Sequence, residues 1–120
     1  MIIIPDIKIL SYYSYMKQNR YRKYISNEGR VYKKKIQEET KKYMEENNIK
    51  CFSCPVMLEC HLYFKDNRKR DIDNYLKVLM DCLSGVLFDD DRLVDKMVLI
   101  KKQGQETNKI EIIVEEYNNI

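Results

Sequence analysis

The sequence predicts an α+β fold, a single small domain in the order β-α-β-α-β-β whose mixed sheet has helices packed on it. Three observations lead there. Ile72, Tyr75, Leu76, Leu79, Met80 and Leu83 recur at three- and four-residue spacing, which makes one buried stripe along a helix. Residues 56–64 alternate instead, with Val56, Leu58, Cys60, Leu62 and Phe64 on one side and Met57, Glu59, His61 and Tyr63 on the other, as a strand against a core does. Two further apolar runs, Val94 to Lys102 and Lys109 to Glu116, are joined by the polar, turn-rich residues 103–108, which predicts a hairpin.

The elements follow in order. With 120 residues and 44% hydrophobic composition, the chain holds one domain, residues 1–120, with a modest core. Ile2 to Leu10 reads as a first strand, broken or pushed to an edge by Pro5. Ser26 is a good N-cap for a helix running to about Glu46 and stopping at Asn47-Asn48. Tyr32, Ile36, Tyr43 and Met44 form its thin apolar stripe; Lys33, Lys34, Lys35, Lys41 and Lys42 coat the rest, interspersed with glutamates. Gly85 sits where a glycine would end the helix over 72–83, and Val86-Leu87-Phe88 then enters the core. No apolar run approaches transmembrane length, and Met1 to Pro5 lacks the basic start and cleavage site of a signal peptide, so no membrane association and a cytoplasmic location are expected.

Charge is distributed unevenly although the net charge is only +3. Residues 1–50 carry twelve Lys and Arg against six Asp and Glu, and residues 51–120 carry ten against thirteen. A basic half beside an acidic half suits a metal-dependent nuclease; ordinary solvated faces give the same count. Residues 11–25 interleave Tyr12, Tyr13, Tyr15, Tyr21 and Tyr24 with Lys17, Arg20, Arg22 and Lys23. Such a segment can hold phosphates by charge and stack on unpaired bases, or its tyrosines can simply lie on the domain. Cys51 and Cys54 form a C-x-x-C, with Cys60 and His61 close behind, which raises zinc. The alternation of residues 56–64 sends Cys60 and His61 to opposite faces and a fourth ligand is missing, so reduced thiols are expected and zinc is not.

The most informative stretch is Lys65 to Asp91. A basic cluster, Arg68, Lys69 and Arg70, precedes Asp71 and Asp73 at a helix start, and an acidic turn, Asp89, Asp90 and Asp91, follows the helix. One aspartate would serve as a cap in the positive end of the helix dipole. Two, with three more a helix length downstream, exceed what capping requires. If the sheet returns Asp91 beside the helix start, three carboxylates converge into a hard-oxygen site for Mg²⁺ or Mn²⁺. Lysines and arginines around such a site point to a phosphodiester substrate. Lys77, one turn below Asp73, can stabilise charge on a reacting phosphate or pair with Asp73 or Asp81 along the helix.

The longer pattern, Arg70-Asp71-Ile72-Asp73-Asn74, Lys77, Asp81 and then Asp90-Asp91, resembles the RusA family of Holliday junction resolvases. Ser26-Asn27-Glu28-Gly29 leading into a helix, a strand with Glu59-Cys60-His61 and a final Ile110-Glu111-Ile112 strand ending in Glu115 are similar in order and spacing, so the likeness covers essentially the whole chain. It departs at Leu10-Ser11-Tyr12-Tyr13, where the family usually has a turn rich in Pro and Asn.

The resemblance implies a RusA-like fold, a bacterial or phage origin, and a structure-selective endodeoxyribonuclease that resolves Holliday junctions by paired symmetric nicks in DNA recombination and repair. It implies Asp71, Asp73 and Asp91 as catalytic carboxylates and metal ligands, with Asp90 as the alternative to Asp91, and Lys77 as the catalytic residue that stabilises charge on the reacting phosphate or the leaving oxygen. Mg²⁺ is then the expected cofactor, with Mn²⁺ as a substitute. Arg68, Lys69 and Arg70, with Lys17, Arg20, Arg22 and Lys23, are expected to hold four-way junction DNA. Two opposed nicks from a chain with one site call for a homodimer. Two other classes stand beside this reading: a non-catalytic basic nucleic-acid-binding module, and a small zinc-stabilised interaction domain built on the cysteines.

Overall fold

The structure, a computed structural model, describes residues 1–118. In chain order it contains β1 (Ile2–Ile4), α1 (Tyr12–Tyr15), β2 (Met16–Gln18), β3 (Lys23–Ile25), α2 (Asn27–Glu46), β4 (Val56–Tyr63), α3 (Asp73–Leu83), a 3₁₀ turn (Asp91–Leu93), β5 (Val94–Lys102) and β6 (Lys109–Glu116). The expected α+β class and mixed sheet are present. The main sheet runs β1-β6-β4-β5, with β4 parallel to β5 and antiparallel to β6. Helix α3 makes the crossover between β4 and β5 that a parallel pair requires.

Alternation decides which face meets the helices. Val56, Leu58, Cys60 and Leu62 of β4, flanked by Ile110 and Ile112 of β6 and by Ile2 and Ile4 of β1, form the core face. Tyr32, Ile36 and Met44 of α2 and Tyr75, Val78, Leu79, Cys82 and Leu83 of α3 complete the core. Each fully buried Leu or Ile contributes about 2 kcal/mol. The buried Thr40 satisfies its hydroxyl by donating to Ile36 O at 2.7 Å. Leu87 and Phe88 are fully buried, as expected of the run after the helix.

Four local expectations are corrected. β5 and β6 do not form a hairpin, because β4 lies between them. An inward row as apolar as that of β4 gains most with a neighbour on both edges, so residues 103–108 cross the end of β4 instead of turning tightly. That crossing is tied down by Gly104 N–H to Asp66 O (3.2 Å), Gln105 N–H to Phe64 O (2.9 Å) and Lys65 N–H to Asn108 Oδ1 (2.8 Å). β1 ends at Ile4, not Leu10: Pro5 has no N–H to offer the ladder and Asp6 turns the chain with φ +47°.

Residues 11–25, which the order β-α-β-α-β-β leaves without an element of their own, form α1 followed by the β2–β3 hairpin, in which Met16 pairs with Ile25 and Gln18 with Lys23. Asn19 builds the turn, its Oδ1 accepting from Tyr21 and Arg22 N–H at 2.9 Å each. Lastly, the buried stripe of α3 is rotated towards Val78 and Cys82; Leu76 and Met80 are half-buried and Ile72 is exposed.

Ser26 caps α2 as expected, its Oγ accepting from Gly29 N–H at 2.9 Å while donating to Ser14 O at 2.7 Å. Gly29 then lets α1 and the hairpin lie directly on α2. A Cβ there would stand 2.7 Å from Tyr15 O and 2.8 Å from Ile25 Cγ2. In an open helix Gly→Ala would stabilise by about 1 kcal/mol. Here Gly29→Ala is expected to destabilise by roughly 1–3 kcal/mol, the range for overpacking, read as a lower urea midpoint with unchanged m.

Candidate active site

The loop between β4 and α3 presents the acidic residues, and it is held by contacts from three directions. Phe64 is buried and meets Tyr75 edge-on at 5.3 Å. The Arg70 guanidinium lies 3.8 Å over the Phe64 ring and donates to Asp66 Oδ1 (2.6 Å) and Gln103 Oε1 (3.0 Å). Lys101 of β5 donates to Arg70 O at 2.8 Å. The bond from Arg70 holds the Asp66 carboxyl below its usual range. Arg70, only 11% exposed, is therefore spent on the fold. Arg68 and Lys69 are the exposed cations of the cluster, Arg68 making a loose 3.6 Å contact with Asp66.

Asp71 and Asp73 are both exposed, and neither caps α3. The N-cap residue is Ile72 in helical conformation, with no side-chain cap bond. Capping therefore does not account for the two carboxylates. They stand at the positive end of the helix dipole without an ion-pair or hydrogen-bond partner among the described residues.

The three aspartates of the turn divide their work. Asp89 accepts from the Cys51 thiol (3.4 Å), and its N–H donates to Phe52 O (2.9 Å), which ties the turn to residues 51–52. Asp90 caps the 3₁₀ turn, accepting from Arg92 N–H at 2.9 Å, and that bond lowers its pKa. Asp91 is exposed and lines a cavity of about 370 Å³ together with Lys77. Three adjacent identical residues gave no sequence signal for this division.

Lys77 pairs with neither Asp73 nor Asp81. Its amine lies 5.0 Å from the centroid of the Tyr12 ring, and the partner of Asp81 is Lys33 of α2, at 3.6 Å. The helical ion pair is thus not the occupation of Lys77. Lys17, Arg20, Arg22 and Lys23 are all exposed on the β2–β3 hairpin, with Arg20 5.9 Å from the Tyr21 ring. Tyr13 and Tyr21 are exposed as well, whereas Tyr15 is buried, so the hairpin region combines both alternatives for its tyrosines.

The structure brings Lys77, Asp81 and Asp91 to one cavity, and Asp71 and Asp73 to the neighbouring helix start. Among the described residues, no three Asp, Glu, His or Cys side chains stand close enough together to enclose an ion. The expected convergence of Asp71, Asp73 and Asp91 into one cluster is thus not found among the described residues. The donor set itself suits Mg²⁺ or Mn²⁺: hard carboxylate oxygens, exposed and unspent on caps.

The cysteines are placed otherwise. Cys60 lies in the core, where burial pushes its thiol up to about 12, and His61 is on the opposite sheet face beside Glu59 (2.7 Å). Sequence reasoning missed Tyr12, Met16 and Ile25 as cavity walls. Asn19 between two short alternating runs was the available signal for the hairpin that carries two of them.

Fold and site together define a class: a small α+β domain that offers unspent carboxylates and exposed cations side by side. The family described as Endodeoxyribonuclease RusA matches residues 12–115. The chain is 31% identical over 107 residues to the crossover junction endodeoxyribonuclease RusA of Shigella sonnei (strain Ss046) and 30% identical to that of Escherichia coli (strain K12), each comparison covering 88% of this chain and 86% of the relative. The enzyme of the same name from Enterobacteria phage 82 is 31% identical with the same coverage. The chain belongs to the RusA endodeoxyribonuclease family.

The division between Arg70 and its neighbours is measurable. Arg70→Ala should cost on the order of 2 kcal/mol in thermal or urea unfolding, because it removes the stack on Phe64 and the bonds to Asp66 and Gln103. Arg68→Ala and Lys69→Ala should stay within about 0.5 kcal/mol of the parent. Equal losses for all three would remove the distinction.

Proposed function

We propose that this protein is a metal-dependent endodeoxyribonuclease that resolves four-way (Holliday) junctions by paired symmetric nicks, in DNA recombination and repair. The observation that carries the reading is the pair Asp71 and Asp73: two carboxylates at a helix start, neither used as a cap, one turn from Lys77, a lysine without an ion pair among the described residues. Family membership supplies the substrate class, since the relatives are named crossover junction endodeoxyribonucleases.

Asp71, Asp73 and Asp91 would hold Mg²⁺, or Mn²⁺ in its place, with Asp90 the alternative in the turn; the ion would supply charge neutralisation at the attacked phosphate and an activated water. The protein's own residues do the rest. Lys77 projects from the same helix, with its amine over the face of Tyr12 and no carboxylate partner among the described residues, so it is available to the developing charge on phosphate. Arg68 and Lys69 hold the DNA backbone next to the acids, and Lys17, Arg20, Arg22 and Lys23 extend that contact along the hairpin. Arg70 acts by fixing the loop that aims Asp71.

Two nicks in opposed strands require two sites, hence a homodimer. The sheet face away from the helices carries Met57, Val98, Ile100 and Ile113 around Glu59, His61 and Glu111. A second copy of the chain is the partner proposed for it.

A binding module with purely structural acids is the second reading, favoured by the exposed cations of the hairpin. The two readings separate in one assay. Asp73→Asn should bind a synthetic four-way junction with near-normal affinity and fail to cut it in Mg²⁺, while Lys77→Ala should cut about 10²–10³-fold more slowly. A native protein that binds junctions and never cuts them under Mg²⁺ or Mn²⁺ would establish the binding module.

A further inference from the structure

Residues 51–52, in the link between α2 and β4, carry no candidate for the chemistry, yet they lie along the acidic turn as a strap. Phe52 N–H donates to Leu87 O and Asp89 N–H donates to Phe52 O, both at 2.9 Å, and Phe52 bridges Phe88 in parallel register. The main chain of the turn is thus held up to Asp89 before any side chain is considered. In addition, the Cys51 thiol donates to Asp89 Oδ1 at 3.4 Å. Among the described residues the Asp89 side chain makes no other hydrogen bond or ion pair.

We propose that Cys51 is a positioning residue for the cut: its thiol keeps the Asp89 carboxylate on the strap and off the metal ion, so that the turn offers the ion Asp91. The inference rests on the nuclease reading and deepens it, because it says how one of three adjacent aspartates becomes the ligand.

Three like charges in a row compete for one dication, and a hard ion takes whichever carboxylate oxygens reach it. The two that are not ligands need another occupation. Asp90 has one in Arg92 N–H, at 2.9 Å. Asp89 has one in the thiol. Without it, the Asp89 side chain is free to swing about a main chain that stays in place. It would then add negative charge beside the attacked phosphate and draw the ion from its working position. An S–H group is a weak donor, so it contributes direction more than strength. Burial, with the Asp89 carboxylate beside it, pushes the Cys51 thiol up, which keeps the donor proton on sulfur. Cys54 is a natural control, since it lines a separate cleft with Asp95 and Glu116. Cys60 and Cys82 are buried. Outer partners of a metal site typically change metal affinity or activity by about 10- to 100-fold.

The test follows junction cutting across a Mg²⁺ series, with gel-shift affinity in the absence of Mg²⁺ and thermal unfolding in parallel. Cys51→Ala should cut roughly 10- to 100-fold more slowly at limiting Mg²⁺, with junction affinity unchanged. Cys51→Ser, which keeps a donor, should recover most of that loss, and Cys54→Ala should lose nothing. Asp89→Asn should cut like the native chain. Added to Cys51→Ala it should restore cutting, because the freed side chain no longer carries a charge. On the native chain, methyl methanethiosulfonate caps accessible thiols. Cutting should fall in step with the label on Cys51, mapped by mass spectrometry, and return when dithiothreitol removes it. Undiminished cutting by Cys51→Ala or by protein capped at Cys51 overturns the role of Cys51 and leaves the nuclease reading standing. So does a double variant as slow as Cys51→Ala, or an Asp89→Asn variant that fails to cut. A native chain that binds junctions and never cuts them overturns both. The capping measurement needs no variant, so it decides the matter even where one misfolds.

Discussion

The stack of Arg70 on Phe64 is the contact on which the site's geometry depends. It closes a short circuit: Phe64 belongs to the end of the central strand, Asp66 and Gln103 take the guanidinium's donors, and Lys101 of the neighbouring strand grips the carbonyl of Arg70. A cation lies over an aromatic face with two acceptors on Nη1, which together offset its desolvation in part. The next residue is Asp71. The acids at the head of α3 thus take their position from the parallel pair β4–β5 rather than from a mobile loop. A guanidinium suits this role because it is planar and lies flat on the ring; an ammonium would lose that stack.

The second support is α2, which carries little chemistry of its own. Its first turn binds the chain at Ser14 and Tyr15, and Gly29 removes the one Cβ that would hold the hairpin away. Further along, Lys33 reaches Asp81 and Gln37 donates to Cys82 O. The helix therefore fixes both walls of the cavity, the hairpin on one side and α3 on the other, and its exposed lysines are incidental to that task.

Much of this was legible in the chain. The alternation of residues 56–64, the cap at Ser26 and the glycine after α3 each rest on a local rule, and each is found where the rule puts it. What failed was whatever depends on a partner distant in sequence. The interval 103–108 has hairpin composition, but the pairing of β5 with β4 is decided by the apolar row of β4. The stripe of α3 was assigned from its own periodicity, and its true rotation is set by the sheet and α2, which draw Val78 and Cys82 inward. Arg70, one of three adjacent basic residues, could not be told from its neighbours without the ring it covers. The same holds for Asp89, Asp90 and Asp91, whose different duties arise from where Cys51, Arg92 and Lys77 happen to lie.

The strand order carries a consequence for how the domain comes into being. β1, residues 2–4, has β6, residues 109–116, as its ladder partner, and β6 is also what covers one edge of β4. Until residues 109–116 have been synthesised, Ile2 and Ile4 have no strand to join and one edge of the central strand stays open. Assembly of the sheet is then a late, non-local event, slow by the topological measure and exposed to strand addition from other chains while it waits. Ribosomal synthesis completes the acidic helix well before the sheet that supports it can close, so the capacity for chemistry follows last, with the sealing of that edge.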